Sequence, residues 1–127
     1  MKISASEHIY TTLSSHAGIV KAVGKKIFPI ATKSEVRFPF IVYEKEQVTP
    51  IYDKRSAVAV SIDYSIYVLS ESYTEAEQIA EMVVNCLDKK TARYDGYEVA
   101  NATVSDVPED FVNMTYVQQI RMKFIIK

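Results

Sequence analysis

The sequence predicts an α+β fold: an antiparallel or mixed β-sheet of about five strands, with two main helices packed on one face and a protruding β-hairpin. Three patterns lead there. Val58, Val60, Ile62, Tyr64, Ile66 and Val68 alternate strictly within 56–69, a period of two that fits a strand. Ala76, Ile79, Ala80, Val83, Cys86 and Leu87 recur at the spacing of one helix face. The strand patterns follow one another with hairpin-length connections and no regular strand–helix–strand alternation, which gives the order α, β, β, β, α, β, β.

The elements follow in chain order. Ser4 with Glu7 three residues later forms a capping-box pattern, and Ile9 and Leu13 supply the apolar face of a first helix over about 5–14. A helical turn through Ile19, Val20 and Val23 stops at Gly24, which tolerates positive φ. Lys26 to Ile30 carries Pro29 and reads as an edge strand, because proline cannot donate to a ladder. Phe38-Pro39-Phe40-Ile41-Val42-Tyr43 opens a strand reaching about Gln47, and the alternating strand follows over 56–69. The segment 48–55 between them is a hairpin tip in which Ile51 and Tyr52 have no obvious core to enter. Thr74 with Glu77 marks the start of the second helix; Glu75, Glu77 and Glu81 suit its N-terminal end, and Lys89 and Lys90 its C-terminal end. Two closing strands cover Tyr97–Val104 and Tyr116–Ile126. The polar, proline-containing stretch Asp106-Val107-Pro108-Glu109-Asp110 between them reads as a loop.

Composition narrows the function classes. The chain has 127 residues, 48% hydrophobic and 24% charged, enough to bury a core without staples, and it is expected to form one domain over 1–127. Net charge is −1; positions 1–37 hold six Lys or Arg against two Glu, hence +4, leaving −5 on the rest. With a pI near 6.1, nucleic-acid binding is not expected as the main activity. Cys86 is the single cysteine, so no intrachain disulfide can form, and a reducing compartment is expected. Ser4, Ser6, Glu7 and His8 interrupt any signal-peptide run, and no 18 apolar residues follow one another; a cytoplasmic protein that does not span the membrane is expected.

Residues with chemical potential are few. His8 and His16 make a weak metal pair, because Ser14-Ser15 and Gly18 interrupt a continuous helix between them. Cys86 belongs to the apolar stripe and is expected to behave as a small hydrophobe. Gly18, Gly24 and Gly96 are too scattered for a phosphate-cradling loop. No catalytic residue, metal site or cofactor is expected. Nine tyrosines in a chain without tryptophan point to half-buried contact surface instead, with Tyr52 and Tyr67 the ones expected to face partners.

Read in order, these residues resemble the phage tail-completion family, the small tail-terminator proteins of long-tailed phages related to the lambda-type terminator. The resemblance runs through Leu13, Val20, Val23-Gly24, Ile27-Phe28-Pro29, Phe38-Pro39-Phe40-Ile41-Val42-Tyr43, the strand at 56–69, the helix of Ala76, Ile79, Ala80 and Val83, and the closing Phe124-Ile125-Ile126. It covers nearly the whole chain except 89–115, and Lys25-Lys26 stand where the family more often has arginine before the Ile-x-Pro segment. It implies a virion structural protein without catalysis: a homo-oligomeric ring, usually a hexamer, that caps the tail tube, stops its polymerisation and offers a surface for head joining. The implied partners are the tail tube protein and the head–tail connector protein. The implied location is the virion tail, with assembly in the host cytoplasm and DNA passing through the ring.

A closing ring needs two different complementary patches on each protomer. For the subunit or tube interface the residues expected are Ile51, Tyr52, Lys54, Arg55 and Tyr67, with the polar face of strand 56–69. Lys21, Lys25, Lys26 and Lys33 are a further expectation for the channel. The competing readings are a small non-catalytic α+β ligand-binding or regulatory module, favoured by a deep pocket, and last a small hydrolase using His8 or His16 with a nearby serine.

Overall fold

The computed structural model describes residues 1–32 and 35–127. Three helices, α1 (Ser6–Ser14), α2 (Ala17–Val23) and α3 (Tyr73–Leu87), accompany seven strands: β1 (Ile27–Pro29), β2 (Phe40–Tyr52), β3 (Ala57–Ser70), β4 (Ala92–Tyr94), β5 (Tyr97–Asp106), β6 (Glu109–Val112) and β7 (Thr115–Ile126). The α+β class holds. The strand count rises from five to seven, and the turn expected before Gly24 is a helix in its own right, giving three helices.

The curled sheet has the order β1-β2-β3-β7-β5-β4, with β6 also on β7. Among the described strands only the β1–β2 pair is parallel and every other pair is antiparallel, so the sheet is mixed. Ile62, Tyr64, Ile66 and Val68 of β3 and Ile120, Met122, Phe124 and Ile126 of β7 are buried under the helices, together with Ile9, Leu13, Ile79, Val83 and Leu87. Val58 departs from the expected alternation. It is 49% exposed, because the β3–β7 ladder begins only at Val60↔Ile126 and leaves it half covered.

Both strands missing from the sequence reading have local causes. The Asp95-Gly96 pair turns β4 back on β5, with Gly96 at φ +85° and Tyr94 opposite Tyr97; a flanked Asp-Gly is itself a hairpin signal. β6 starts inside the segment expected to be a loop, because the chain past Pro108 resumes pairing with the same edge of β7 that β5 uses. Asn113 and Met114 then close the β6–β7 turn at φ +51° and +62°, a geometry the absence of glycine had hidden.

The helix starts are also set differently. The Ser4–Glu7 box does not form: α1 begins after Ala5, whose N–H donates to the Tyr64 hydroxyl at 3.0 Å, while Glu7 accepts a hydrogen bond from the Tyr97 hydroxyl. Thr74 and Glu77 are likewise not the cap of α3. Ser72 is, its hydroxyl accepting from the Glu75 N–H at 3.3 Å. Lys89 and Lys90 follow the C-cap Asp88 rather than occupying the last turn.

Candidate functional site

The β2–β3 and β6–β7 hairpins carry their turns to opposite ends of the sheet. β3 pairs with β7 from Val60↔Ile126 to Ser70↔Tyr116, so the β2–β3 turn at 53–56 lies at one end and the β6–β7 turn at 113–114 at the other. Each end presents a different surface.

At the first end β2 and β3 run on together past the last β3–β7 pair, a projection of about 10 Å at ~3.3 Å per residue. The Asp53 carboxylate fixes the turn, accepting from the Arg55 N–H at 2.8 Å and the Ser56 N–H at 3.0 Å. Those backbone bonds hold its pKa below the usual carboxylate range. With Asp53 bound into the turn, Lys54 and Arg55 stand exposed beside Ile51 and Tyr52, the latter 67% exposed. A bulge between Lys45 and Gln47 changes the phase of β2, so Val48 lies opposite core residue Ile62, while Ile51 shares the outer face with Ala59.

Tyr67 is not part of that tip. It pairs with Val42, ten residues along β3 from Ala57, hence ~33 Å away. There, on the face away from the helices, Ile30, Phe38, Val42, Tyr67, Leu69, Val112 and Val117 line an open groove of about 670 Å³. One carboxylate, Glu44, enters it; its Oε1 accepts from the Tyr67 hydroxyl at 2.9 Å. Burial and then that bond raise the Tyr67 pKa. Ser65, fully buried in the middle of the same face, donates to Glu46 and accepts from Gln119 Nε2 at 2.9 Å. The polar face of β3 is therefore partly occupied by its own network and is less available than its sequence suggests.

Sequence reading missed the second hairpin tip, where Phe111, Val112 and Met114 are 50%, 47% and 78% exposed. A signal existed: three large apolar residues within four positions of a polar stretch. Phe111 packs on Tyr116, and Tyr116 on Tyr73, across the helix side of this hairpin.

The histidines part company. His16 caps α2, its Nδ1 accepting from the Ile19 N–H at 3.2 Å, whereas His8 is buried with Nδ1 2.8 Å from the Tyr94 hydroxyl. Burial pushes the Cys86 thiol up to about 11, in line with a small hydrophobe. Glu75 accepts from the Ser70 hydroxyl at 2.6 Å, and Glu77 and Glu81 edge a shallow depression on α3. Among the described residues no three His, Cys, Asp or Glu are gathered for a metal ion, and no helix is long and apolar enough to cross a membrane. Of the basic N-terminal residues, Lys21 and Lys25 are exposed and Lys26 Nζ donates to the Arg37 carbonyl at 2.8 Å; Lys33 lies outside the described residues.

Two comparisons bear on this arrangement. The family described as Tail completion protein gp17 matches residues 7–125. A solved chain from the virion of a native gene transfer agent particle is similar in fold, with a TM-score of 0.82 at 15% identity, over 93% of this chain and 90% of that one. No curated protein matches the chain in sequence.

Proposed function

Because the chain belongs to the tail completion protein gp17 family, a family of phage tail structural proteins, we propose that it is the tail terminator of a phage or prophage. In this reading residues 1–127 act as one domain, and copies of the chain form a hexameric ring in the virion tail after assembly in the host cytoplasm. The ring caps the tube, ends its polymerisation and offers a surface to the head–tail connector protein, leaving a passage for DNA. The protein works by contact and not by catalysis.

The observation that carries this reading is the pair of unlike surfaces at the two ends of one sheet. A two-fold dimer uses one self-complementary patch, whereas a closed ring needs two that differ. Here one end is a projecting tip with Ile51, Tyr52, Lys54 and Arg55, and the other is a concave groove that includes Tyr67. The fold similarity to a chain of a gene transfer agent virion is consistent with a place in such a particle. The alternative of a small-ligand module gains nothing specific, since the groove is broad and open.

Light scattering on the size-exclusion peak, over a concentration series, tests the ring. The expected species has six times the 14.4 kDa mass of the chain. Infection with a phage lacking this protein is expected to give overlong, unjoined tails. A monomer at every concentration together with tails of normal length and normal joining would overturn the proposal.

A further inference from the structure

We infer that the β2–β3 tip of one copy seats in the groove of the next, with Ile51 and Tyr52 against Val42, Leu69 and Val112, and Lys54 and Arg55 toward Glu44. This deepens the ring reading and rests on it for the repetition of the contact around a closed circle.

Shape, charge and position single out a second copy of this chain as the occupant. The tip is convex and projects beyond the sheet; the groove is concave, apolar along its walls and open at the surface. Among the described residues no lysine or arginine lines the groove, and Glu44 reaches into it from β2 while Asp110 stands opposite Val117 on the adjoining β6. The tip offers the opposite sign, because its only carboxylate, Asp53, is held by the turn amides while the side chains of Lys54 and Arg55 stay exposed. The two surfaces lie at opposite ends of the sheet, so filling the groove of one copy leaves that copy's tip available for another.

Strand addition along β2 is the obvious competitor. β1 covers β2 only at Ile41–Tyr43, leaving the remaining outer edge without a partner strand among the described elements. That edge is broken by the bulge between Lys45 and Gln47 and by Pro50, features that blunt edge pairing. The tip is therefore the part of the hairpin suited to contact.

The test uses the full chain with Cys86→Ala. Tyr52→Cys and Val112→Cys are introduced separately, both at exposed positions, and the two proteins are mixed and oxidised. The expected result is a disulfide between positions 52 and 112, at least tenfold more abundant than either like-with-like dimer, identified by mass spectrometry of the linked peptides. Glu44→Lys on the Val112→Cys protein is expected to cut that yield, and Lys54→Glu with Arg55→Glu on its partner to restore it. Particle mass of the wild-type protein is measured in parallel. A hexamer without preferential 52–112 linkage overturns this contact and leaves the ring standing. Preferential linkage in a protein that never exceeds a dimer keeps the contact and counts against a ring in solution, and a monomer without linkage overturns the contact.

Discussion

His8 lies in the core, 3% exposed, edge-on to Tyr94 and Phe124 at centroid distances of 5.7 and 5.9 Å. Its Nδ1 meets the Tyr94 hydroxyl, with Thr12 Oγ1 at 3.5 Å, while Nε2 has no hydrogen-bond partner among the described residues. Burial disfavours the imidazolium and lowers the pKa from 6.5. The unfolded chain therefore binds the extra proton first, and stability falls as pH drops through about 6.5, until the folded-state pKa is passed. The expected contribution to the slope is at most ~1.4 kcal/mol per pH unit. Urea unfolding of wild type and His8→Leu at pH 5, 6 and 7 checks this; equal slopes in the two proteins would show that His8 does not titrate differently on folding. Tyr64 teaches the complementary lesson. Its place in the alternating strand was legible, but its hydroxyl, tied to the Ala5 N–H and to the Ser6 hydroxyl at 2.9 Å, replaces a cap that local sequence assigned to Ser4 and Glu7. No local pattern encodes a bond spanning nearly 60 residues.

Helices α1 and α3 and the long strands were legible as elements because each repeats its own period over several turns or pairs. β6 was not: its four residues are all exposed and contain no alternation to detect, and it is a strand only because β7 supplies a ladder. Its turn with β7 holds Asn113 and Met114 in the left-handed region. Asparagine tolerates that conformation, whereas methionine costs roughly 1–2 kcal/mol there. Met114→Gly relieves this cost and loses about 0.5–1 kcal/mol to the greater freedom of the unfolded chain. A net stabilisation of about 0.5–1 kcal/mol is expected, visible as a raised midpoint in urea unfolding. A lowered midpoint would mean that the exposed Met114 side chain contributes contacts that outweigh the relief.

Across the whole molecule, protection should follow position in the sheet. β3 is bonded to β2 on one side and β7 on the other, and β7 to β3 and to β5 with β6, so these two strands form the centre. Amides at 62–68 and 118–124 are expected to exchange slowest, approaching the rate set by global unfolding, and those at 53–56 and 113–114 fastest. Mass-resolved hydrogen exchange checks the order; on assembly, added protection at both hairpin ends would mark the subunit contacts. The sequence by itself determined the α+β class, the core face of β3 and β7, the helix that covers it and the exposed β2–β3 tip, because periodicity and turn chemistry are local. It also placed the chain near its family through spacing that survives over most of its length. Only the tertiary structure decided that Tyr67 belongs to a groove far from Ile51 and Tyr52, and that a second apolar tip faces the other way. Strand pairing sets those distances, and the register of β3 against β2 and β7 is fixed by which faces can be buried together.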